Sequence, residues 1–153
     1  MDNELEKLPG QFAIYKKNGA AQFNLILPRY KKIERGNGSR AERIEREGSV
    51  LLEVAPGTGA KKYDWANKIS FSIGVSDLAI WMKDDMNVSL FHDTPNSPEM
   101  KKLTIVPGRD SGFMLTLMET TSRRTVTVPI HEGEYQLLLR LLMAAAPTFI
   151  GWL

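Results

Sequence analysis

Eight short runs of alternating apolar and polar residues, each closed by a turn signal, set the plan of this 153-residue chain. A period of two places every second side chain on one face of a strand, so each run can bury one face and wet the other. Residues 11–17 and 20–27 flank Asn18-Gly19, a dipeptide suited to the tight turn of an antiparallel hairpin. In the second run Phe23, Leu25 and Leu27 share a face. Residues 48–55 and 69–73 repeat the pattern, the first with Val50, Leu52 and Val54 on one side and broken at Pro56-Gly57-Thr58-Gly59. Ser76 then caps an expected helix running to about Lys83.

The second half repeats this order. Residues 88–92, 102–106, 113–118 and 125–128 read as strands, followed by a helix over about 132–146. Glu134 stands three residues after His131, an imperfect capping box. Toward its end this helix is apolar nearly all round (Leu137, Leu138, Leu139, Leu141, Leu142, Met143), which calls for burial on several sides, against a sheet and against a neighbouring subunit. Four strands and a helix, twice, predict an α+β fold of two antiparallel four-stranded sheets packed with two helices. Residues 1–10 are expected to be a flexible leader and 11–153 a single domain.

The 28–47 segment fits neither pattern. Dense in Arg, Lys and Glu around Gly36-Asn37-Gly38, it reads as a solvated loop, with a mobile basic arm that helps hold phosphates as the sharper alternative.

Charge and composition narrow the function. Twenty basic and eighteen acidic residues leave a net charge of +2, so an anionic partner must be met by a local patch. The absence of cysteine excludes disulfides, thiolate metal sites and cysteine nucleophiles. No His/carboxylate cluster has metal-ligand spacing, and no cofactor is expected. His92 and His131 lie in distant elements, no Gly-x-Ser-x-Gly elbow exposes a serine, and His92 reads as structural, so no catalytic residue is assigned. Residues 56–62 superficially resemble a phosphate-binding loop. Ala60 separates Gly59 from Lys61, however, and aromatic residues follow where Ser or Thr and a helix would be needed. The acidic N-terminus is neither a secretory signal nor an Arg-rich transit peptide, and no stretch is long enough to span a membrane. A soluble intracellular protein is expected, in cytoplasm or nucleoid, with an organelle matrix as the alternative.

Binding an unpaired nucleic-acid strand needs cations for phosphates and flat rings for bases. Lys61-Lys62-Tyr63-Asp64-Trp65 with Lys68 supplies both within eight residues. Tyr15-Lys16-Lys17 supplies a second cluster, with Phe23 just past the turn. On the pleat Tyr15 points away from Phe12 and Ile14, toward an outer surface. Tyr15, Phe23, Tyr63 and Trp65 are therefore the candidate stacking residues, and Lys17, Lys61, Lys62 and Lys68 the candidate phosphate contacts. Asp64 reads as an orienting acceptor in its turn. The same aromatics could instead cover the edge of the core. Lys101-Lys102 and Arg123-Arg124 would then be plain surface on a protein–protein scaffold.

A family resemblance begins at Gly48. Gly48-Ser-Val-Leu-Leu-Glu-Val-Ala-Pro-Gly57, then Lys62-Tyr63-Asp64-Trp65-Ala-Asn-Lys68, then Phe71-Ser-Ile-Gly-Val75 resembles the central signature of Whirly proteins. Phe91-His92-Asp93, Asp110-Ser111-Gly112-Phe113, Val128-Pro129-Ile130 with Glu134-Tyr135, and Pro147 with Gly151-Trp152 follow in the family's order. Tyr15-Lys16-Lys17-Asn18-Gly19-Ala20-Ala21 is similar to its Tyr-Lys-Gly-Lys-Ala-Ala, with one residue inserted. The resemblance implies two four-stranded sheets with two helices, and a cyclic homotetramer held by the helices. It also implies binding of single-stranded DNA with little sequence preference between sheets of adjacent subunits, in genome maintenance, repair or transcription. Related proteins of this fold bind guide RNA, which keeps RNA as the alternative ligand.

Overall fold

The computed structural model describes residues 5–152. Its first sheet is built on β1 (Gln11–Tyr15), β2 (Gly19–Ile26) and β5 (Ser49–Gly59), in that order and all antiparallel. The far edge of β5 is shared by β6 (Lys62–Tyr63) and β7 (Ile69–Ile73). The second sheet is a meander of β8 (Val88–Asp93), β9 (Met100–Pro107), β10 (Phe113–Glu119) and β11 (Thr125–Ile130). Helix α1 (Val75–Lys83) joins the two sheets and α2 (Glu132–Phe149) ends the chain. The two antiparallel sheets and two helices agree with the α+β reading.

Period two decides what is buried. Ile14, Leu52, Ile69 and Phe71 from the first sheet face Leu103, Ile105, Leu115, Leu117 and Val128 from the second, all 2% exposed or less. At about 25 cal/mol per Å² of apolar surface, this interior supplies most of the drive to fold. The helices close one flank of it. Trp81 of α1 donates its indole N–H to the Tyr135 hydroxyl of α2 at 3.1 Å, and the Tyr135 ring lies 4.2 Å from that of Phe113. Burial pushes the Tyr135 hydroxyl up to about 12, so it stays a protonated donor to the Asp85 carbonyl.

Several expectations are corrected. The 28–47 segment is not a loop: β3 (Arg29–Glu34) and β4 (Arg40–Arg46) pair as a separate two-stranded sheet. Strand β5 is not broken at Pro56 but continues to Gly59. Pro56 lacks an N–H, yet it still pairs opposite Gly19 and accepts from the Asp64 N–H at 2.9 Å. Helix α1 starts one residue ahead of Ser76, because the Asp77 carboxylate reaches back to the Gly74 N–H at 2.9 Å. The same carboxylate takes His92 Nε2 at 2.8 Å, and the His92 ring stacks 3.9 Å from Phe71, which makes His92 a structural residue.

Helix α2 runs past Pro147 to Phe149. There Gly151 (φ +76°) and Trp152 donate back to Thr148 and Pro147 at 3.2 and 2.9 Å, a Schellman ending. Within one chain α2 buries Tyr135, Leu138, Leu142 and Phe149, one side only. Residues 5–10 belong to no helix or strand, and residues 1–4 of the expected leader lie outside the described residues. No described helix is long and apolar enough to cross a membrane.

Candidate nucleic-acid interface

The hairpin of β1 and β2 fixes the first part of the site. Asn18-Gly19 closes it, with the Lys16 N–H donating to the Gly19 carbonyl at 3.0 Å. Register pairs Tyr15 with Ala20, so the Tyr15 ring stands on the outer face, 54% exposed. Gln22, two residues along on that face, donates from its amide to the Tyr15 hydroxyl at 3.1 Å.

The end of β5 folds against this turn. The Gly57 N–H donates to the Asn18 carbonyl at 3.0 Å, and a Cβ at Gly57 would run into the Lys17 carbonyl oxygen. The approach is therefore open only to glycine. β6 pairs back on β5 across a bulge between Gly57 and Gly59, which places Tyr63 beside Tyr15 with ring centroids 5.7 Å apart. The Tyr63 hydroxyl donates to the Lys16 carbonyl at 2.7 Å and locks the two segments together. Trp65 follows at the head of a 3-10 turn, its ring 6.4 Å from that of Tyr63. Asp64 accepts from the Asn67 amide at 2.8 Å and so serves the turn. Arg124, held by Glu119 at 2.7 Å, donates to the Asn67 carbonyl at 3.1 Å and braces this turn against the second sheet.

Tyr15, Tyr63 and Trp65 thus form a row of three tilted rings over the outer face. Beside them an open groove of about 1060 Å³ runs between Tyr15, Asn18, Gly57, Lys61 and Tyr63. Lys17 and Lys61 line this groove and are exposed, Lys62 is exposed next to Lys61 in the chain, and none of the three has an ion-pair partner within 4.0 Å among the described residues. Lys61 takes a positive φ of 58° at the tip of the turn. The arrangement offers flat π-faces next to free ammonium groups, the combination that stacks bases and neutralises phosphates.

Two of the eight candidates sit elsewhere. Phe23 is 4% exposed and faces inward, 6.1 Å from Phe12 and on the side opposite Tyr15. The hairpin register already decides this, since it sets Phe23 across from Phe12. Phe23 is therefore a core residue and leaves the site. Lys68 is on the surface but ion-paired to Glu53, so its charge is largely spent within the chain.

Sequence reasoning missed other groups. Lys16 contributes to the groove's lining, but its ammonium binds Glu134 at the start of α2, at 2.8 Å. Burial raises the Glu134 pKa, but hydrogen bonds from Lys16 and the His131 N–H outweigh it and leave the carboxyl below its usual range. On the outer face of the second sheet Phe91 is 54% exposed, and the Lys102 ammonium lies 5.2 Å from its ring centroid. The signal was in the parity of β8: Val88 and Leu90 point in, so Phe91 must point out.

The fold has counterparts among known proteins. The family model for the Whirly transcription factor matches residues 14–141. The chain is 27% identical over 158 residues to the mitochondrial single-stranded DNA-binding protein WHY2 of Arabidopsis thaliana, covering 95% of this chain and 65% of that protein. It is 27% identical over 156 residues to the chloroplastic single-stranded DNA-binding protein WHY1 of Solanum tuberosum, covering 92% of this chain and 54% of that one. The chain thus spans somewhat more than half the length of these curated relatives. Among solved structures, the plant transcriptional regulator PBF-2 superposes with a TM-score of 0.84 at 24% identity, covering 97% of this chain and 86% of that one. WHY1 from Arabidopsis thaliana gives 0.81 at 24% identity, covering 97% and 89%. With the family's pattern spread over most of its length and the family's fold in its sheets and helices, the chain belongs to the Whirly family.

Proposed function

We propose that this chain is a non-catalytic binding protein for single-stranded DNA, with little sequence preference, working as a homo-oligomer joined through α2. The observation that carries the reading is the row of Tyr15, Tyr63 and Trp65 beside Lys17 and Lys61. Rings with no base-edge partner among them stack any base, which makes binding sequence-tolerant; the nearby cations supply the salt-dependent part. The names of the relatives above point the same way, and a role in genome maintenance, repair or transcription follows from that ligand. A tetramer through α2 fits the apolar stripe of Leu137 and Leu141, left 48% and 43% exposed.

The test is a fluorescence-anisotropy titration of a labelled single-stranded oligonucleotide at several salt concentrations. Affinity is expected to fall steeply as salt rises. Trp65→Ala is expected to cost about 1–3 kcal/mol of binding, the worth of one stacked base. A folded wild-type protein that ignores the strand at low salt ends the reading, and full affinity in Trp65→Ala removes that ring from the site.

A further inference from the structure

The β3–β4 hairpin carries a charge that the groove does not use. Residues 29–46 hold seven basic and three acidic side chains, a net +4, whereas the whole chain is only +2. The remainder of the molecule is therefore net acidic, and its positive charge is concentrated on this ribbon.

The two faces of the ribbon differ. On one, Lys32 sits opposite Glu42 and Glu34 opposite Arg40, so cross-strand partners of opposite sign offset one another. On the other, Lys31 sits directly opposite Arg43. Like charges in that position disfavour pairing unless something anionic lies across them. Both are exposed, and neither has an ion-pair partner among the described residues, where the hairpin's one ion pair is Arg29 with Glu45 at 3.1 Å. The ribbon is nonetheless well built: the Arg35 N–H donates to the Ser39 carbonyl at 2.9 Å, and Asn37 accepts from the Ser39 N–H at 3.0 Å across the tip.

Position and chemistry identify the ligand. Strand β2 runs for eight residues between the Asn18-Gly19 turn and the hairpin base. The hairpin therefore stands about 25 Å from the aromatic groove. It has no stacking platform. Tyr30, its only aromatic residue, is at the base against Gly151, where an added Cβ would come within 2.9 Å of the Tyr30 hydroxyl. Cations without rings suit phosphates whose bases are already paired, and a two-stranded ribbon fits the major groove of a duplex. We propose that the Lys31/Arg43 face of the β3–β4 hairpin binds the phosphate backbone of duplex DNA, giving the protein a second surface suited to junctions between paired and unpaired DNA. The proposal stands on the hairpin's own geometry and does not require the groove to be occupied.

The experiment compares three probes by anisotropy: an unpaired oligonucleotide, the matching duplex, and the duplex carrying that oligonucleotide as a tail. Wild-type protein is expected to bind the tailed duplex more tightly than the tail alone. The double variant Lys31→Gln/Arg43→Gln, which removes a repulsion and should fold as well as wild type, is expected to lose about tenfold on the tailed duplex. Its slope of log affinity against log salt should fall by about two, one for each phosphate that the variant leaves unneutralised. Its affinity for the tail alone should not change. Lys32→Gln/Arg40→Gln takes the same charge from the opposite face and should have little effect. Equal losses on tail and tailed duplex, no loss on either, or equal losses from both double variants would overturn the proposal. A wild-type protein that ignores the tail but binds the duplex through Lys31 and Arg43 would sink the single-strand reading and leave this one standing.

Discussion

Gly57 shows how one missing side chain builds the groove. Its N–H reaches the Asn18 carbonyl, and its α-carbon lies so close to Lys17 that no methyl group fits between them. That approach sets Tyr63 against Tyr15 and lets the Tyr63 hydroxyl reach Lys16. Gly57→Ala must push the Asn18-Gly19 turn away, an overpacking cost of about 1–3 kcal/mol. Urea unfolding should show a lower midpoint, and strand binding should weaken with it. An unchanged midpoint would mean that the turn yields without cost and that glycine is not required there. Period two and the Asn-Gly turn made Tyr15 legible in the sequence as an outward residue. They also held the answer for Phe23, whose register opposite Phe12 turns it into the core; proximity to the basic cluster obscured it. The pairing of Lys68 with Glu53 was not legible, because it depends on β5 and β7 lying side by side.

At the scale of elements, the strands of both sheets were legible because burial of one face imposes a period of two, and that period survives in the sequence. The β3–β4 hairpin has no buried face to impose it. Its alternation is one of charge, with Ile33, Ala41 and Ile44 alone half-buried, so it reads as a loop. Strand β5 passes through Pro56 because its N–H is not needed there, and α2 continues past Pro147 to end in the bonds from Gly151 and Trp152. Contacts between distant elements leave no local trace, and the Lys16–Glu134 link between the β1–β2 turn and α2 is one of them. Its folded-state carboxyl titrates below the ordinary value of 4.5, so the link stabilises the fold above that pH and is lost as pH falls through the lowered pKa. Glu119, drawn down first by its hydrogen bond from Arg124, acts in the same window. Unfolding free energies of wild type and Glu134→Gln should therefore differ most above pH 4.5 and converge in acid. A difference that is constant with pH would mean that the ion pair contributes nothing to stability.

For the whole molecule, the two outer sheet faces and the outer side of α2 pose one problem. Tyr15, Tyr63 and Trp65 lie on the first sheet, and Phe91 with Lys102 lies on the second, so a single chain presents two aromatic-basic surfaces facing away from its core. An unpaired strand long enough to touch both kinds of surface is best served where two copies set one sheet beside the other. Helix α2 has the means to bring copies together. Leu137 and Leu141 lie one turn apart on its exposed side. Full burial of each leucine against a neighbour is worth roughly 1.5–3 kcal/mol. A charge placed in that stripe removes the gain and adds a desolvation cost. Leu137→Glu should leave the fold of one chain intact, because Leu137 is 48% exposed, while light scattering reports a lower mass than wild type. Strand affinity should fall in parallel even though every ring and lysine of the groove is unchanged. A variant that keeps the wild-type mass would show that α2 is not the joining surface. One that loses mass but binds as before would show that a single chain's groove is sufficient.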